Sequence, residues 1–198
     1  MTNTAGPRTG RQDSGDAIMP AIRPSLAHLG IFVSDLDRME RFYADVFGLV
    51  VTDRGVGAVF KNRLVFMSGS ADQHHQVVLS TGRQADAPST IMQLSFKVAS
   101  LAELRDVQAR AAAHGATEMI GLNHGNAWSI YFYDPEMNRI EIYLDTDFHT
   151  PQPCADPLDL AKSDEEIVAE TRALVEARPG GMDRRKYVEA MQGVLARN

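Results

Sequence analysis

The sequence predicts an α+β fold in which a βαβββ module occurs twice and is followed by two helices. Two stretches of the 198-residue chain begin alike: "LAHLGIFVSDLDRMERFYADVFGLVV" starts at Leu26, and "IMQLSFKVASLAELRDVQARAAAHGATE" starts at Ile91. Each contains an apolar strand, a short turn and a helix, and an offset of 65 residues places His28 over Gln93. Such self-similarity indicates a duplicated structural unit.

The elements of each module follow from local patterns. Apolar side chains recur at three- and four-residue spacing in "MERFYADVF" and in "LAELRDVQARA", which predicts a helix in each half. Gly48 and Gly115 follow these helices as expected C-terminal caps. Three strand-like segments come next in each half: "LVVTDRG", "RLVFMSG" and "HQVVLSTG", then "ATEMIGL", "WSIYFYD" and "RIEIYLDT".

The two modules are expected to form one domain. A single βαβββ unit leaves one face of its sheet uncovered, whereas two units together can enclose a concave surface. Module one is predicted at residues 24–83 and module two at residues 90–147, joined by "RQADAPST" within a domain spanning residues 23–147. Residues 1–22 are polar and lack apolar periodicity, which predicts a disordered arm.

Residues 148–198 are predicted to be a connector and a helical extension. Proline-rich "FHTPQPCADPLDL" leads to "SDEEIVAETRALVEA", where Ser163 and Glu166 predict a capping box at the start of a helix. A last helix is predicted in "DRRKYVEAMQGVLAR". Both helices are amphipathic, so we expect them to pack on the core or on a second subunit. A homodimer or a higher homo-oligomer is therefore expected.

Composition excludes several classes of function. The formal net charge is −6 and no basic run occurs, so binding to nucleic acid is not expected. No apolar run is long enough to span a membrane, and the polar N-terminus lacks the apolar core of a secretory signal. We therefore expect a cytoplasmic protein. Cys154 is the single cysteine, which excludes an internal disulfide and a cysteine-rich zinc site.

A carboxylate inside an apolar strand marks the candidate site. Glu141 lies between two isoleucines, where a charged side chain needs a partner. His28 on the first strand of module one and Gln93 at the matching position of module two would converge with it around a shared cavity. Two neutral donors and a carboxylate suit a divalent metal such as Fe(II). The alternatives are an ion pair between Glu141 and Arg139, and a hydrogen-bonded core amide at Gln93.

Two motifs resemble the vicinal oxygen chelate superfamily, which includes glyoxalase I, bleomycin-resistance proteins and extradiol ring-cleaving dioxygenases. "AHLGIFVSDLDRMERFYADVFGL" is similar to the opening strand and helix of that superfamily, and "DPEMNRIEIY" is similar to its closing strand. The resemblance covers about residues 24 to 147. It implies a partly closed, barrel-like cavity that contains a metal held by His28, Gln93 and Glu141.

The finer resemblance is to extradiol dioxygenases. "HHQVVL" is similar to a histidine pair of that family, which implies that His75 is the acid–base catalyst beside the bound O₂ and catechol. A histidine followed by an asparagine, with a tyrosine nine residues after the histidine, recurs as His124, Asn126 and Tyr133. The resemblance implies that His124 and Tyr133 act on the substrate oxygens and that Asn126 contacts the substrate.

The implied function is oxygenation of a small aromatic, catechol-like substrate by O₂, with Fe(II) as the metal and Mn(II), Zn(II) or Ni(II) as alternatives. Trp128 in the cavity wall and His149 in the connector are predicted as further substrate contacts. Extradiol enzymes carry histidine at the place of Gln93, whereas some glyoxalase I enzymes use glutamine. Two other functions therefore stay open: binding of a small ligand without turnover, and a glyoxalase-like lyase or isomerase reaction. Glyoxalase I also uses a glutamate near the place of Gln76 or Val78, and neither is acidic.

Overall fold

Module one forms a four-stranded sheet covered on one face by a helix. The computed structural model describes residues 22–197, so the predicted arm lies outside the described residues except for Ile22. The elements of module one are β1 (Leu29–Val33), α1 (Leu36–Phe47), β2 (Val50–Val56), β3 (Arg63–Ser68) and β4 (Val77–Thr81). The strand order is β1-β4-β3-β2, with β1 parallel to β4 and the other pairs antiparallel.

Module two repeats this arrangement. Its elements are β5 (Leu94–Lys97), α2 (Leu101–Ala113), β6 (Thr117–Asn123), β7 (Ala127–Tyr133) and β8 (Arg139–Asp145). The strands β5 and β8 are parallel, as β1 and β4 are, and the two hairpins β6–β7 and β7–β8 are antiparallel. The duplication predicted from the sequence offset is therefore confirmed, and the fold belongs to the predicted α+β class.

The extension adds short strands and two helices. Its elements are β9 (Phe148–His149), β10 (Asp156–Pro157), α3 (Asp164–Glu176), β11 (Met182–Asp183) and α4 (Arg184–Arg197). β10 pairs with β6 and so extends the sheet of module two to the order β10-β6-β7-β8-β5. No helix among residues 22–197 has the length and apolarity needed to cross a membrane.

The end of α1 and the start of α3 confirm the expected local signals. Gly48 caps α1 at φ 67°, a left-handed conformation that glycine adopts without a side-chain clash. The α2 helix ends at Ala113 and its C-cap is His114 rather than the predicted Gly115, which follows one residue later with φ 91°. At α3 the side chains of Ser163 and Glu166 form both hydrogen bonds of the predicted capping box.

The core lies between the helices and one face of each sheet. Alternate strand residues point to this face, among them Ile31, Leu79 and Ile140, each at most 3% exposed. Phe47 of α1 stacks on Phe96 of β5 with ring centroids 4.4 Å apart, so the two cores meet. The opposite faces of the sheets, which carry the candidate site residues, are left free of the helices.

The β7–β8 loop of module two binds the start of α1 in module one. The Glu136 carboxylate accepts hydrogen bonds from the backbone N–H groups of Ser34 and Asp35, at 2.9 and 2.7 Å, and lies 3.7 Å from Arg83. An acidic side chain at a helix N-terminus is stabilised by the helix dipole. The two sheets do not close into a barrel, because within residues 22–197 no strand of one pairs with a strand of the other.

Candidate metal centre

Strand pairing brings three polar side chains together on the free face of module two. Glu141 on β8 pairs with Ser95 on β5 and with Tyr131 on β7. Residues directly opposite each other on neighbouring strands point to the same side of a sheet. The Glu141 side chain is therefore flanked by two hydroxyl groups, and the residue is only 8% exposed.

Three neutral groups donate hydrogen bonds to the Glu141 carboxylate. The Ser95 hydroxyl donates to Oε2 at 2.6 Å, and the Gln93 amide nitrogen donates to the same oxygen at 2.8 Å. The Tyr131 hydroxyl donates to Oε1 through a short hydrogen bond. Burial and the Glu141 hydrogen bond raise the pKa of Tyr131, so this group stays protonated and serves as a donor.

In the described part of the chain, no cationic side chain offsets the charge of Glu141. The Arg139 guanidinium lies 4.6 Å above the ring of Tyr131 instead, and within residues 22–197 no lysine, arginine or histidine forms an ion pair with Glu141. The alternative ion pair between Arg139 and Glu141 is therefore not present in the structure. A buried carboxylate held only by neutral donors is a favourable position for a bound cation.

His28 and His75 lie together in module one. Their ring centroids are 4.3 Å apart, and Phe66 packs against His75 at 5.1 Å. His28 immediately precedes β1 and lines a cavity of about 490 Å³ that is also lined by Ser95 and Lys97. Ser95 therefore borders the cavity of His28 while it contacts Glu141.

The pKa of His75 is lowered by its environment. Partial burial is the main cause, and the neighbouring His28 and His74 add to it, because each disfavours a positive charge on the His75 imidazole. His74 is exposed, and its Nδ1 lies 3.0 Å from Nδ1 of His75. The lowered pKa favours the neutral form of His75, which is the form that accepts a proton.

A second cavity, of about 290 Å³, lies over Glu141. Its wall includes His124, Asn126, Tyr131 and Gln152. His124 donates a hydrogen bond from Nδ1 to the carbonyl oxygen of Cys154, since a carbonyl can only accept, and its Nε2 lies 3.1 Å from the Tyr131 hydroxyl. The Gln152 amide nitrogen donates to Asn126 Oδ1 at 3.2 Å and to the carbonyl of His124 at 2.9 Å.

The proposed ligands offer donor atoms that fit a divalent metal. Gln93 uses its amide nitrogen for Glu141, and its carbonyl oxygen is the atom that could bind a metal. Together with a Glu141 oxygen and the imidazole of His28, this set suits Fe(II), Mn(II), Zn(II) or Ni(II). Residues 22–197 contain no group of three or more His, Cys, Asp or Glu side chains placed to hold a metal, and His28 and Glu141 line separate cavities.

Three other predicted residues lie away from Glu141. Tyr133 is on the same face of β7 as Tyr131 but pairs with Arg139, so Tyr131 is the tyrosine beside the carboxylate. Trp128 points to the opposite face of β7, where its indole N–H donates to Thr171 of α3 at 2.7 Å. His149 stacks on Tyr187 of α4 with centroids 3.7 Å apart. Their predicted roles stay predictions.

Sequence reasoning did not identify Ser95, Tyr131 and Gln152 as site residues. Two of them carried a usable signal: Ser95 follows Gln93 by two residues and Tyr131 precedes Tyr133 by two, so strand alternation places each on the same face as its neighbour. Gln152 carried no such signal, because it lies in the connector and reaches the site only through the folding of the extension over module two.

Comparisons with known proteins agree with this architecture. The model of the family described as Glyoxalase/Bleomycin resistance protein/Dioxygenase superfamily matches residues 25–142. Biphenyl-2,3-diol 1,2-dioxygenase 3 of Rhodococcus globerulus is 27% identical over 141 residues, which are 68% of this chain and 70% of that protein.

Two solved structures share the fold. A glyoxylase/bleomycin resistance protein/dioxygenase domain from Frankia sp. EAN1pec has a TM-score of 0.52 at 22% identity and covers 63% of this chain and 100% of its own. The fosfomycin resistance protein FosX from Listeria monocytogenes, complexed with Mn(II) and sulfate, has a TM-score of 0.50 at 21% identity and covers 63% of this chain and 95% of its own. At this level of identity the likeness concerns the fold alone.

Proposed function

Because the chain belongs to the glyoxalase/bleomycin resistance protein/dioxygenase superfamily, we propose that it is a metal-dependent extradiol dioxygenase that cleaves a catechol-like ring with O₂. The observation that carries the proposal is the buried Glu141 carboxylate, which is hydrogen-bonded to Gln93 and has no cationic partner among the described residues. The relative that acts on biphenyl-2,3-diol supports the same class of substrate.

The proposed ligands are the imidazole of His28, the amide oxygen of Gln93 and the carboxylate of Glu141. When bound, a divalent metal, with Fe(II) as the first choice, supplies charge that favours the deprotonated diol and positions where its two vicinal oxygens and O₂ meet. One anionic ligand leaves the loaded centre with a net positive charge, which favours an anionic diol.

His75 is proposed as the group that takes a proton from the diol and returns it later. The lowered pKa keeps this imidazole neutral near pH 7, so it can act as a base. Its contact with His28 places it beside a proposed ligand. His124 and Asn126 in the wall of the cavity over Glu141 are proposed to bind the substrate oxygens.

The free face of module one is proposed to receive the apolar part of the ring. Phe32 on β1 is 62% exposed, and Phe66 on β3 pairs with Val78 on β4 beside His75. Aromatic side chains of this kind gain free energy by covering a flat apolar ligand. A substrate with a polar diol at one end and an apolar body at the other would match the polar free face of module two and the apolar free face of module one.

The proposed reaction inserts both oxygen atoms of O₂ into the ring-opened product. The carbon–carbon bond next to the diol breaks, and both atoms of O₂ enter the product. One end of the opened chain becomes a carboxylate and the other an aldehyde or a ketone. O₂ is the oxidant, so no other electron acceptor is required, and His75 holds the transferred proton between the two steps.

Binding without turnover is the second candidate, and the glutamine at position 93 favours it. An amide oxygen is a weaker metal donor than imidazole, so a centre with Gln93 holds its metal less tightly than one with histidine. A glyoxalase-like reaction is less supported, because Val78 occupies the place on β4 that corresponds to Glu141 on β8 and provides no further carboxylate.

Oxygen consumption tests the proposal directly. The protein would be loaded with Fe(II) under anaerobic conditions and mixed with aerated solutions of catechol, 3-methylcatechol and 2,3-dihydroxybiphenyl. We expect uptake of one O₂ per ring cleaved with at least one of these diols. The rate should depend on the size of the substituent beside the diol, which differs among the three compounds. Saturable diol binding with no oxygen uptake from the whole panel would contradict the proposal and favour the binding function.

A further inference from the structure

We propose that Tyr131 and Ser95 are positioning residues that hold the two oxygens of Glu141 in place for a metal ion. The inference rests on the proposed metal site but does not depend on the identity of the substrate. The two hydroxyl groups approach opposite oxygens, since Tyr131 donates to Oε1 and Ser95 donates to Oε2. Neither side chain is one of the proposed ligands.

The hydrogen bonds restrict where a metal can bind. Oε2 already accepts from both Ser95 and Gln93, whereas Oε1 accepts from Tyr131 alone among the described residues. A carboxylate oxygen has two lone pairs, so Oε1 retains one free lone pair. A metal that leaves this arrangement intact would bind through Oε1, with the orientation of that oxygen set by Tyr131.

Tyr131 also lies against a histidine that contacts the extension. Its hydroxyl lies 3.1 Å from His124 Nε2, and the other nitrogen of His124 is bound to the carbonyl of Cys154. A continuous chain of contacts thus runs from the connector through His124 and Tyr131 to Glu141. The guanidinium of Arg139 packs on the face of the Tyr131 ring and limits its rotation.

Such hydrogen bonds to a metal ligand have measurable consequences. Groups that orient a ligand typically contribute about 10- to 100-fold to metal affinity, because the ligand does not need to be reordered when the metal binds. Removal of either hydroxyl should therefore weaken metal binding without removing a donor atom. A residue that only filled space would not have this effect.

The test measures Mn(II) affinity, with Mn(II) as an air-stable probe for a site with oxygen donors. Tyr131→Phe and Ser95→Ala each remove one hydroxyl, and Ser95→Thr restores a hydroxyl at position 95. Tyr143→Phe is the matched control, because Tyr143 lines the same cavity and its hydroxyl makes no hydrogen bond within residues 22–197. Free Mn(II) would be quantified by electron paramagnetic resonance, and folding by circular dichroism.

We expect Kd to rise by about 10-fold or more in Tyr131→Phe and Ser95→Ala, and to stay near the wild-type value in Ser95→Thr and Tyr143→Phe. A Kd within twofold of wild type in both folded hydroxyl-deletion variants would overturn the inference. If Tyr131→Phe fails to fold, the comparison of Kd between Ser95→Ala and Ser95→Thr decides the test. Wild-type protein that binds no Mn(II) would overturn the inference and the metal site together. Normal Mn(II) binding without oxygen uptake would contradict only the proposed function.

Discussion

The two modules share a fold but place different chemistry at equivalent positions. The second residue of the opening strand is Gly30 in module one and Ser95 in module two, and each pairs with a residue on the parallel closing strand. That partner is Val78 in module one and Glu141 in module two. An apolar pair in one sheet therefore corresponds to a hydroxyl–carboxylate pair in the other.

The third strand of each module, β3 or β7, shows the same difference between an apolar and a polar residue. Phe66 on β3 pairs with Val78, and Tyr131 on β7 pairs with Glu141. Each aromatic ring has a histidine beside it, His75 at 5.1 Å from Phe66 and His124 at 5.9 Å from Tyr131. The single hydroxyl by which tyrosine differs from phenylalanine provides the hydrogen bond to the carboxylate.

The fold and the chemistry place different requirements on the two faces of each sheet. Both sheets bury an apolar face against their helix, so that face is restricted to apolar residues in each module. The free face carries no such restriction, so one module can hold polar groups for a metal while the other keeps an apolar surface for a ring. The extension reinforces the difference, because β10 covers the edge of the second sheet, whereas Val50 on the edge strand β2 stays 66% exposed.

Replacement of Glu141 should have the largest effect. Glu141→Ala removes the one anionic ligand, and we expect loss of stoichiometric metal, with Kd raised by at least about 100-fold, while the fold is retained. Metal content after anaerobic loading and gel filtration measures this. Val78→Ala is the control at the equivalent position of module one, and it should keep normal metal content. Equal metal content in both variants would show that the contrast between the modules has no bearing on metal binding.

Replacement of His75 should leave the metal and remove turnover. For His75→Ala we expect kcat to fall by about 10²- to 10⁴-fold, the usual contribution of a positioned acid–base group. The pKa of His75 is lowered, so the base is active above that pKa and the rate falls as the pH drops through it; this acidic limb should vanish in the variant.

The control for His75 is its exposed neighbour. His74→Ala removes an adjacent imidazole and should leave kcat almost unchanged while it raises the pKa of the acidic limb, since one of the influences that lower the pKa of His75 is gone. Steady-state rates across pH measure both effects. Full turnover in His75→Ala would rule out its role as a base.

Replacement of Thr171 should have the smallest effect and should act on stability. Its buried hydroxyl accepts hydrogen bonds from Trp128 at 2.7 Å and Asn123 at 2.8 Å and so fastens α3 to module two. Thr171→Val leaves two buried donors unpaired, and we expect a loss of about 2 kcal/mol or more in the free energy of unfolding. Thr171→Ser keeps the hydroxyl and should lose less. Equal melting temperatures for the two variants would show that packing rather than hydrogen bonding holds α3.

The sequence predicts the fold better than it predicts the site. The duplicated modules were recognised because strand and helix periodicity, the glycine at position 48 and the Ser163 capping box are all local signals. The repeat placed Gln93 over His28 and led to the expectation that both converge with Glu141; the structure shows the Gln93 amide nitrogen 2.8 Å from Glu141 Oε2. The choice between Tyr131 and Tyr133 could not be made from the sequence, since both side chains point to the same face. Only the register of the β7–β8 hairpin decides which one faces Glu141.

The contacts of the extension could not be predicted from the sequence, for a different physical reason. The partner of His124 Nδ1 is the backbone carbonyl of Cys154, and any residue type at position 154 offers the same atom. Gln152 meets Asn126 and the carbonyl of His124 only after the connector folds against module two. Such contacts depend on tertiary placement, and no composition or spacing marks them.

Anomalous diffraction from crystals grown with Mn(II) tests most directly whether module two, together with His28, holds the metal. We expect one strong peak within about 2.6 Å of a Glu141 oxygen and of the Gln93 amide oxygen, the range of hard cation–oxygen bonds, with the His28 imidazole as the third protein ligand. A peak that lies away from Glu141, or beside Val78 and Phe66 in module one, would contradict it.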